Sequence, residues 1–181
     1  MPYRTILADP PWSLALTGKY KRRKHQRADD LPYPTMTVEE IAALPIAELA
    51  EPGCHLWLWT TNQHLHAGFH VMEAWGFKYL APIVWIKPSG IGNWFVHRTQ
   101  TILFGYRLQC QFRRERYLPN VIKAKPGRHS QKPGASFQLI ERVSDPRRLE
   151  LFARQSRPGW DRWGNECKSS PGPITVLGLP T

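Results

Sequence analysis

The tetrapeptide Asp9-Pro10-Pro11-Trp12 follows the apolar run "YRTILA", residues 3–8, and sets a carboxylate, two rigid imide units and an aromatic ring side by side. Those residue types suit one demanding reaction, methylation of a nucleobase amine. The lone pair of such an amine is delocalised into the ring, so the nitrogen attacks poorly until it moves towards tetrahedral geometry. Acceptors on its two N–H bonds favour that movement and stabilise the positive charge of the transition state. The Asp9 carboxylate supplies one acceptor. A peptide carbonyl held by consecutive prolines supplies the other, because proline fixes its own φ and restricts the residue before it. The Trp12 ring offers a face on which an extruded base can stack. The bland alternative is a proline-stiffened turn with a core tryptophan.

Charge supports the first reading. Lys and Arg outnumber Asp and Glu by 25 to 14, a net charge of +11, which points to a polyanionic partner, nucleic acid first. The segment "GKYKRRKHQR" (18–27) carries six Lys or Arg and no acid. Lys21, Arg22, Arg23 and Lys24 within it are candidate phosphate contacts, which predicts steep salt dependence; the alternative is a solvated loop. "RRER" (113–116), Lys123, Lys125 and Arg128 add to the basic surface. Trp94 and His97, in "PSGIGNWFVHR", are placed to stack on or steer the target strand.

Other chemistries find less support. His66 and His70 have helical i, i+4 spacing, but no acid or cysteine completes a metal site nearby, so they are expected at the surface. Cys54, Cys110 and Cys167 form no Cys-x-x-Cys pair, suggesting neither a disulfide framework nor a zinc knuckle and a cytoplasmic, reducing setting. Cys54 is expected to be buried and inert. No apolar run reaches the roughly 20 residues that span a bilayer, and no signal-peptide core opens the chain.

The elements that position these residues read as alternating strands and helices. Residues 3–8 form a strand that ends at the prolines, and residues 13–35 a long polar loop. "TVEEIAALPIAELA" is a helix with Thr37 and Glu40 at capping-box spacing, broken or kinked at Pro45. "CHLWLWTT" (54–61) is a buried strand whose Trp57 and Trp59, like Trp85 further on, belong to the core. A helix follows, capped by Thr61 or Asn62 and ended by Gly76. Strands are expected at 77–87, from Thr101 onward, around "NVIKA" and at 147–154, with a second loop at 88–98 and a helix at 136–143. This order implies an α/β domain over 1–167 with a mainly parallel sheet covered on both faces, and a flexible tail at 168–181. Ligands bind beyond the carboxyl ends of such strands, where the Asp9 turn falls.

The chain resembles the Asp-Pro-Pro-Trp family of N6-adenine methyltransferases. "ADPPW", "LPYPTMT", "LWLWTTN", "EAWGFKYLAPIVWIK", "SQKP", "LELFAR" and "WGNE" occur in family order over residues 3–166. The resemblance implies a Rossmann-like fold with permuted motif order, S-adenosylmethionine as methyl donor and transfer to the adenine amine. It makes Asp9, Pro10, Pro11 and Trp12 the catalytic turn, with Asp9 also near the amine of the methionine moiety. It assigns Lys132 to the cofactor carboxylate, Phe152 and Arg154 to the cofactor surroundings, and Asn165 and Glu166 to its ribose.

Three departures accompany it. Gln100 or Thr101 stands where the family has a glutamate. Relatives hold the cofactor adenine through an upstream segment, so here either other groups, such as those around "VIKA" (121–124), are expected to hold it or it is held less tightly. Gln155 and Ser156 replace a polar His-Asn pair. The implied substrate is nucleic acid, DNA favoured over RNA by analogy with compact phage and bacterial modifiers. A silent relative that supports an active partner is the alternative, and methylation of the cytosine N4 amine a third reading. Either target recognition is short and loose, or a second copy or another subunit extends the surface.

Overall fold

Along "LWLW" the side chains alternate between the two faces of a sheet. Leu56 and Leu58 enter one hydrophobic cluster and Trp57 and Trp59 another, and all four are buried. A strand covered on both faces belongs inside a layered α/β fold. The computed structural model describes residues 1–13, 34–91, 94–110, 112, 115–127 and 131–164. Within them the order is β1 (Tyr3–Ala8), α1 (Val38–Ala42), α2 (Ile46–Leu49), β2 (Ala50–Thr60), a 3-10 turn (Asn62–His64) and α3 (Leu65–Ala74). Then come β3 (Lys78–Ile91), β4 (His97–Tyr106), β5 (Val121–Lys123), α4 (Gly134–Val143), β6 (Arg148–Leu151) and β7 (Trp160–Trp163).

The described strands form one seven-stranded sheet in the order β5-β3-β4-β2-β1-β6-β7. β4 runs antiparallel to both neighbours and the other pairings are parallel. Ile6, Ala8, Leu56 and Leu58 pack under Ile41 of α1 and Val71, Met72 and Trp75 around α3. Leu7, Trp57, Trp59 and Ile102 pack under Phe137, Ile140 and Val143 of α4. The connection from β1 to β2 therefore covers one face and the α4 connection into β6 covers the other. That reversal opens a crevice at the carboxyl ends of β1 and β6.

Local sequence explains the element ends. Thr37 Oγ1 accepts from the Glu40 amide at 3.2 Å while Glu40 Oε2 accepts from the Thr37 amide at 2.8 Å. Pro45 separates α1 from α2, and Gly76, at φ +76°, takes the left-handed turn after α3.

Several boundaries differ from the sequence reading. Thr61 bonds His64 Nδ1 at 2.8 Å instead of capping a helix, so a 3-10 turn intervenes and α3 starts at Leu65. β3 and β4 also run further into the expected 88–98 loop, to Ile91 and from His97. Gly90 permits this, since a Cβ there would lie 2.3 Å from the His97 carbonyl oxygen. β7 was not expected at all: its buried Trp160 and Trp163 are three apart, a spacing without strand alternation.

Candidate active site

Asp9 and Phe152 are the first residues beyond β1 and β6, and the register Ala8↔Leu151 sets them side by side. The Asp9 amide donates to the Leu151 carbonyl at 3.5 Å. Lys132 arrives from the approach to α4, its Nζ 2.8 Å from Asp9 Oδ1 and 5.1 Å from the centre of the Trp59 ring. The side chains are 25% exposed for Asp9 and 14% for Lys132, so the pair is confined yet open to the crevice. A carboxylate and an ammonium held together in this way complement the two ends of an amino-acid zwitterion.

The turn itself is fixed bond by bond. The Pro10 carbonyl accepts from the Trp12 amide at 2.8 Å, and the Pro11 carbonyl from the Met36 amide at 2.9 Å. The Ser13 amide donates to the Met36 carbonyl at 3.0 Å, completing a short parallel bridge. Trp12 Nε1 donates to the Trp59 carbonyl at 3.1 Å, and its ring stacks on His64 with centroids 5.4 Å apart and planes 16° apart. Only 7% of Trp12 is exposed. This corrects the expectation of an open stacking face: the indole is packed into the core beneath the turn and braces it.

A sequence model described as MT-A70 matches residues 3–166. The chain belongs to the MT-A70 family. It is 28% identical to the type II methyltransferase M.MunI of Mycoplasma sp over 99% of this chain and 82% of that protein. It is also 28% identical to the human N(6)-adenosine-methyltransferase catalytic subunit METTL3, and 29% to an MT-A70-like putative N(6)-adenosine-methyltransferase of Medicago truncatula, over 91% of this chain in both cases. The chain spans about a quarter of the length of these plant and animal relatives, 26% and 28%.

MT-A70 methyltransferases use S-adenosylmethionine, and the donors and acceptors of the crevice fit that molecule. Asp9 suits its ammonium and Lys132 its carboxylate. Trp59 Nε1 is buried with no partner among the described residues, an unused donor in the ring beneath Lys132. Phe152 sits at φ +60°, a conformation that costs a non-glycine residue about 1–3 kcal/mol and concentrates at ligand sites. Its ring meets Trp163 edge-on at 5.3 Å. Arg154 follows, half-buried.

The other expected residues of this MT-A70 chain distribute as follows. Gln100 is half-buried opposite Trp85, and alternation with Ile102 and Phe104 turns it to the α4 face with Trp59 and Trp85. His97 Nδ1 accepts from Asn62 Nδ2 at 3.0 Å. Trp94 is 84% exposed at the tip joining β3 to β4. Lys21, Arg22, Arg23, Lys24, Arg113, Arg114, Arg128, Asn165, Glu166 and the tail 168–181 lie outside the described residues. His66 and His70 are exposed on α3, and Gln155 and Ser156 are exposed before β7. Cys54 is fully buried, which pushes its thiol pKa up.

The expectation that 121–124 holds the cofactor adenine is corrected. β5 lies at the sheet edge with β3, β4 and β2 between it and β1, about 19 Å away at ordinary strand spacing.

Two participants were missed. His64 donates from Nε2 to the Ser13 carbonyl at 3.0 Å, so its Nδ1 accepts the Thr61 hydroxyl. It thereby ties the start of the segment after the turn to the end of β2. Glu150, in register with Leu7, is pushed up to about 7 by burial, with Arg157 opposing and the Asp9 charge adding to the rise. "LELFAR" shows a carboxylate here, but only the fold places it beneath Asp9.

Proposed function

We propose that this chain transfers a methyl group from S-adenosylmethionine to the N6 amine of adenine in nucleic acid, with DNA as the substrate. The Asp9–Lys132 pair at the mouth of a proline-fixed turn is the observation that carries the reading. Bound S-adenosylmethionine supplies an electrophilic methyl group on a positively charged sulfur. The chain supplies position and charge. Lys132 holds the carboxylate end of the donor. Asp9 accepts one N–H of the adenine amine, and the Pro10 carbonyl accepts the other. The Pro10 oxygen already takes the Trp12 amide, which fixes its direction and leaves a second lone pair. As the N–C bond forms, both acceptors stabilise the charge on nitrogen. The surplus proton then leaves through the Asp9 carboxylate to solvent.

The choice of DNA is supported by the similarity to the type II methyltransferase M.MunI, which extends over 99% of this chain and 82% of that protein. The relatives named N(6)-adenosine-methyltransferases favour RNA as the second reading. The test is incubation with labelled S-adenosylmethionine and single-stranded DNA, duplex DNA or RNA, followed by digestion and mass spectrometry. N6-methyladenine in DNA is the expected product. Label confined to RNA overturns the DNA assignment, and N4-methylcytosine overturns the choice of base. A folded protein that binds the cofactor yet labels nothing is a silent relative.

A further inference from the structure

We propose that the tip of the β3–β4 hairpin, Trp94 with Phe95, is a wedge that enters the base stack of duplex DNA and fills the space an extruded adenine leaves. The inference rests on the adenine-methylation reading and deepens it, because a stacked duplex needs such a wedge and a single strand does not.

Exposure is the first observation. Trp94, Phe95 and Val96 are 84%, 78% and 61% exposed, three consecutive large apolar residues in water. Soluble chains seldom leave such a run uncovered without a binding role.

Position is the second. β3 runs in the same direction as β1 and β2, so its carboxyl end, where the tip begins, lies on the edge that carries Asp9. The hairpin root is joined to the catalytic turn by a short relay. His97 accepts from Asn62 at 3.0 Å, and two residues on, His64 stacks against Trp12.

The root is also stiff. Ile91 pairs with His97, Arg98 Nε donates to the Lys87 carbonyl at 3.1 Å, and Gly90 lets the strands close. A stiff stem with an apolar end can enter a base step, where a flexible loop would fold back.

Charge identifies the occupant. No Asp or Glu occurs along the two hairpin strands, residues 78–106, while Lys87 and Arg98 stand near the tip. An apolar point on a purely cationic stem matches stacked bases flanked by phosphates. Opening a base step costs a few kcal/mol, which an inserted apolar side chain offsets.

The test uses the full chain and the double variant Trp94→Ala/Phe95→Ala, whose exposed positions leave the core untouched. Methyl transfer is followed on genomic DNA free of N6-methyladenine, native or heat-denatured. The variant loses about tenfold or more on native DNA, as forfeiting part of the unstacking energy requires, and stays within about twofold on denatured DNA. Equal loss on both, or no loss on native DNA, overturns the wedge.

A second arm needs no chemistry. Plasmid relaxed by a topoisomerase with Asp9→Ala protein should show a reduced linking number that the added tip substitutions abolish and Trp94→Phe retains. If this shift appears while no DNA is ever methylated, the methylation reading fails and the wedge stands. Methylation of native DNA without a tip-dependent shift overturns the wedge alone. Tip-dependent binding to anionic phospholipid vesicles with no linking-number shift assigns the tip to a membrane surface and likewise overturns it.

Discussion

Replacing Trp12 by Phe separates a brace from a stacking platform. Phenylalanine keeps a ring for the His64 stack but has no donor for the Trp59 carbonyl, which Trp12 Nε1 reaches at 3.1 Å inside the core. Leaving a buried acceptor unpaired costs about 1–3 kcal/mol, and the smaller ring adds an incompletely filled space. A loss of about 2–3 kcal/mol follows, equivalent to a fall in Tm of roughly 4–12 °C for a domain of this size. The bond also fixes the turn that carries Asp9 and Pro10, so methyl transfer should fall mainly in kcat, with KM for nucleic acid little changed. Calorimetry and steady-state kinetics on one preparation read both quantities. If Tm stays within about 1 °C while KM for nucleic acid rises, Trp12 holds the base directly and its assigned role in the turn is wrong.

Two further substitutions test the charges around the crevice. Lys132→Met keeps the length of the side chain but removes the charge beside Asp9. Affinity for S-adenosylmethionine should fall about 10- to 100-fold by isothermal titration, the worth of a charge-assisted hydrogen bond; unchanged affinity removes Lys132 from the cofactor site. Burial pushes Glu150 up to about 7 from an ordinary value of 4.5, so the folded state resists ionisation between those values and stability is lost as pH rises through them, by up to about 3 kcal/mol above pH 7. Glu150→Gln should therefore stabilise the protein above pH 7 and leave it unchanged below pH 4.5. His55 works in the opposite sense. Burial lowers it from 6.5 to about 4, so the unfolded chain takes up a proton first and stability falls as pH drops through that window. The wild-type slopes oppose one another, and in Glu150→Gln the acid loss should stand alone in urea melts across pH. A Glu150→Gln profile parallel to wild type refutes the buried carboxyl.

Patterns that are local in the chain were legible in its sequence. The alternation of "LWLW", the capping box at Thr37 and Glu40, the break at Pro45 and the turn at Gly76 each depend on neighbouring residues. The mainly parallel sheet followed from the order of elements, and the Asp9 turn fell where such sheets bind ligands. Long-range partnerships were less legible. Nothing near Trp12 signals that its indole would bond a carbonyl on β2, since the partner lies 47 residues away. Nothing beside His64 in the chain marks it out, and its role comes from Ser13 across a crossover. β7 escaped because edge pairing, not side-chain alternation, defines it. The distance from "VIKA" to Asp9 depends on strand order, which motif order does not give.

The central claim is that the Asp9 carboxylate grips the amine that receives the methyl group. The most direct measurement is single-turnover methyl transfer by Asp9→Ala beside its binding of S-adenosylmethionine by titration. The account predicts that transfer falls by at least about 10³-fold, the scale of losing a preorganised electrostatic contact in the transition state, while cofactor binding stays detectable. Transfer at a near wild-type rate would contradict it.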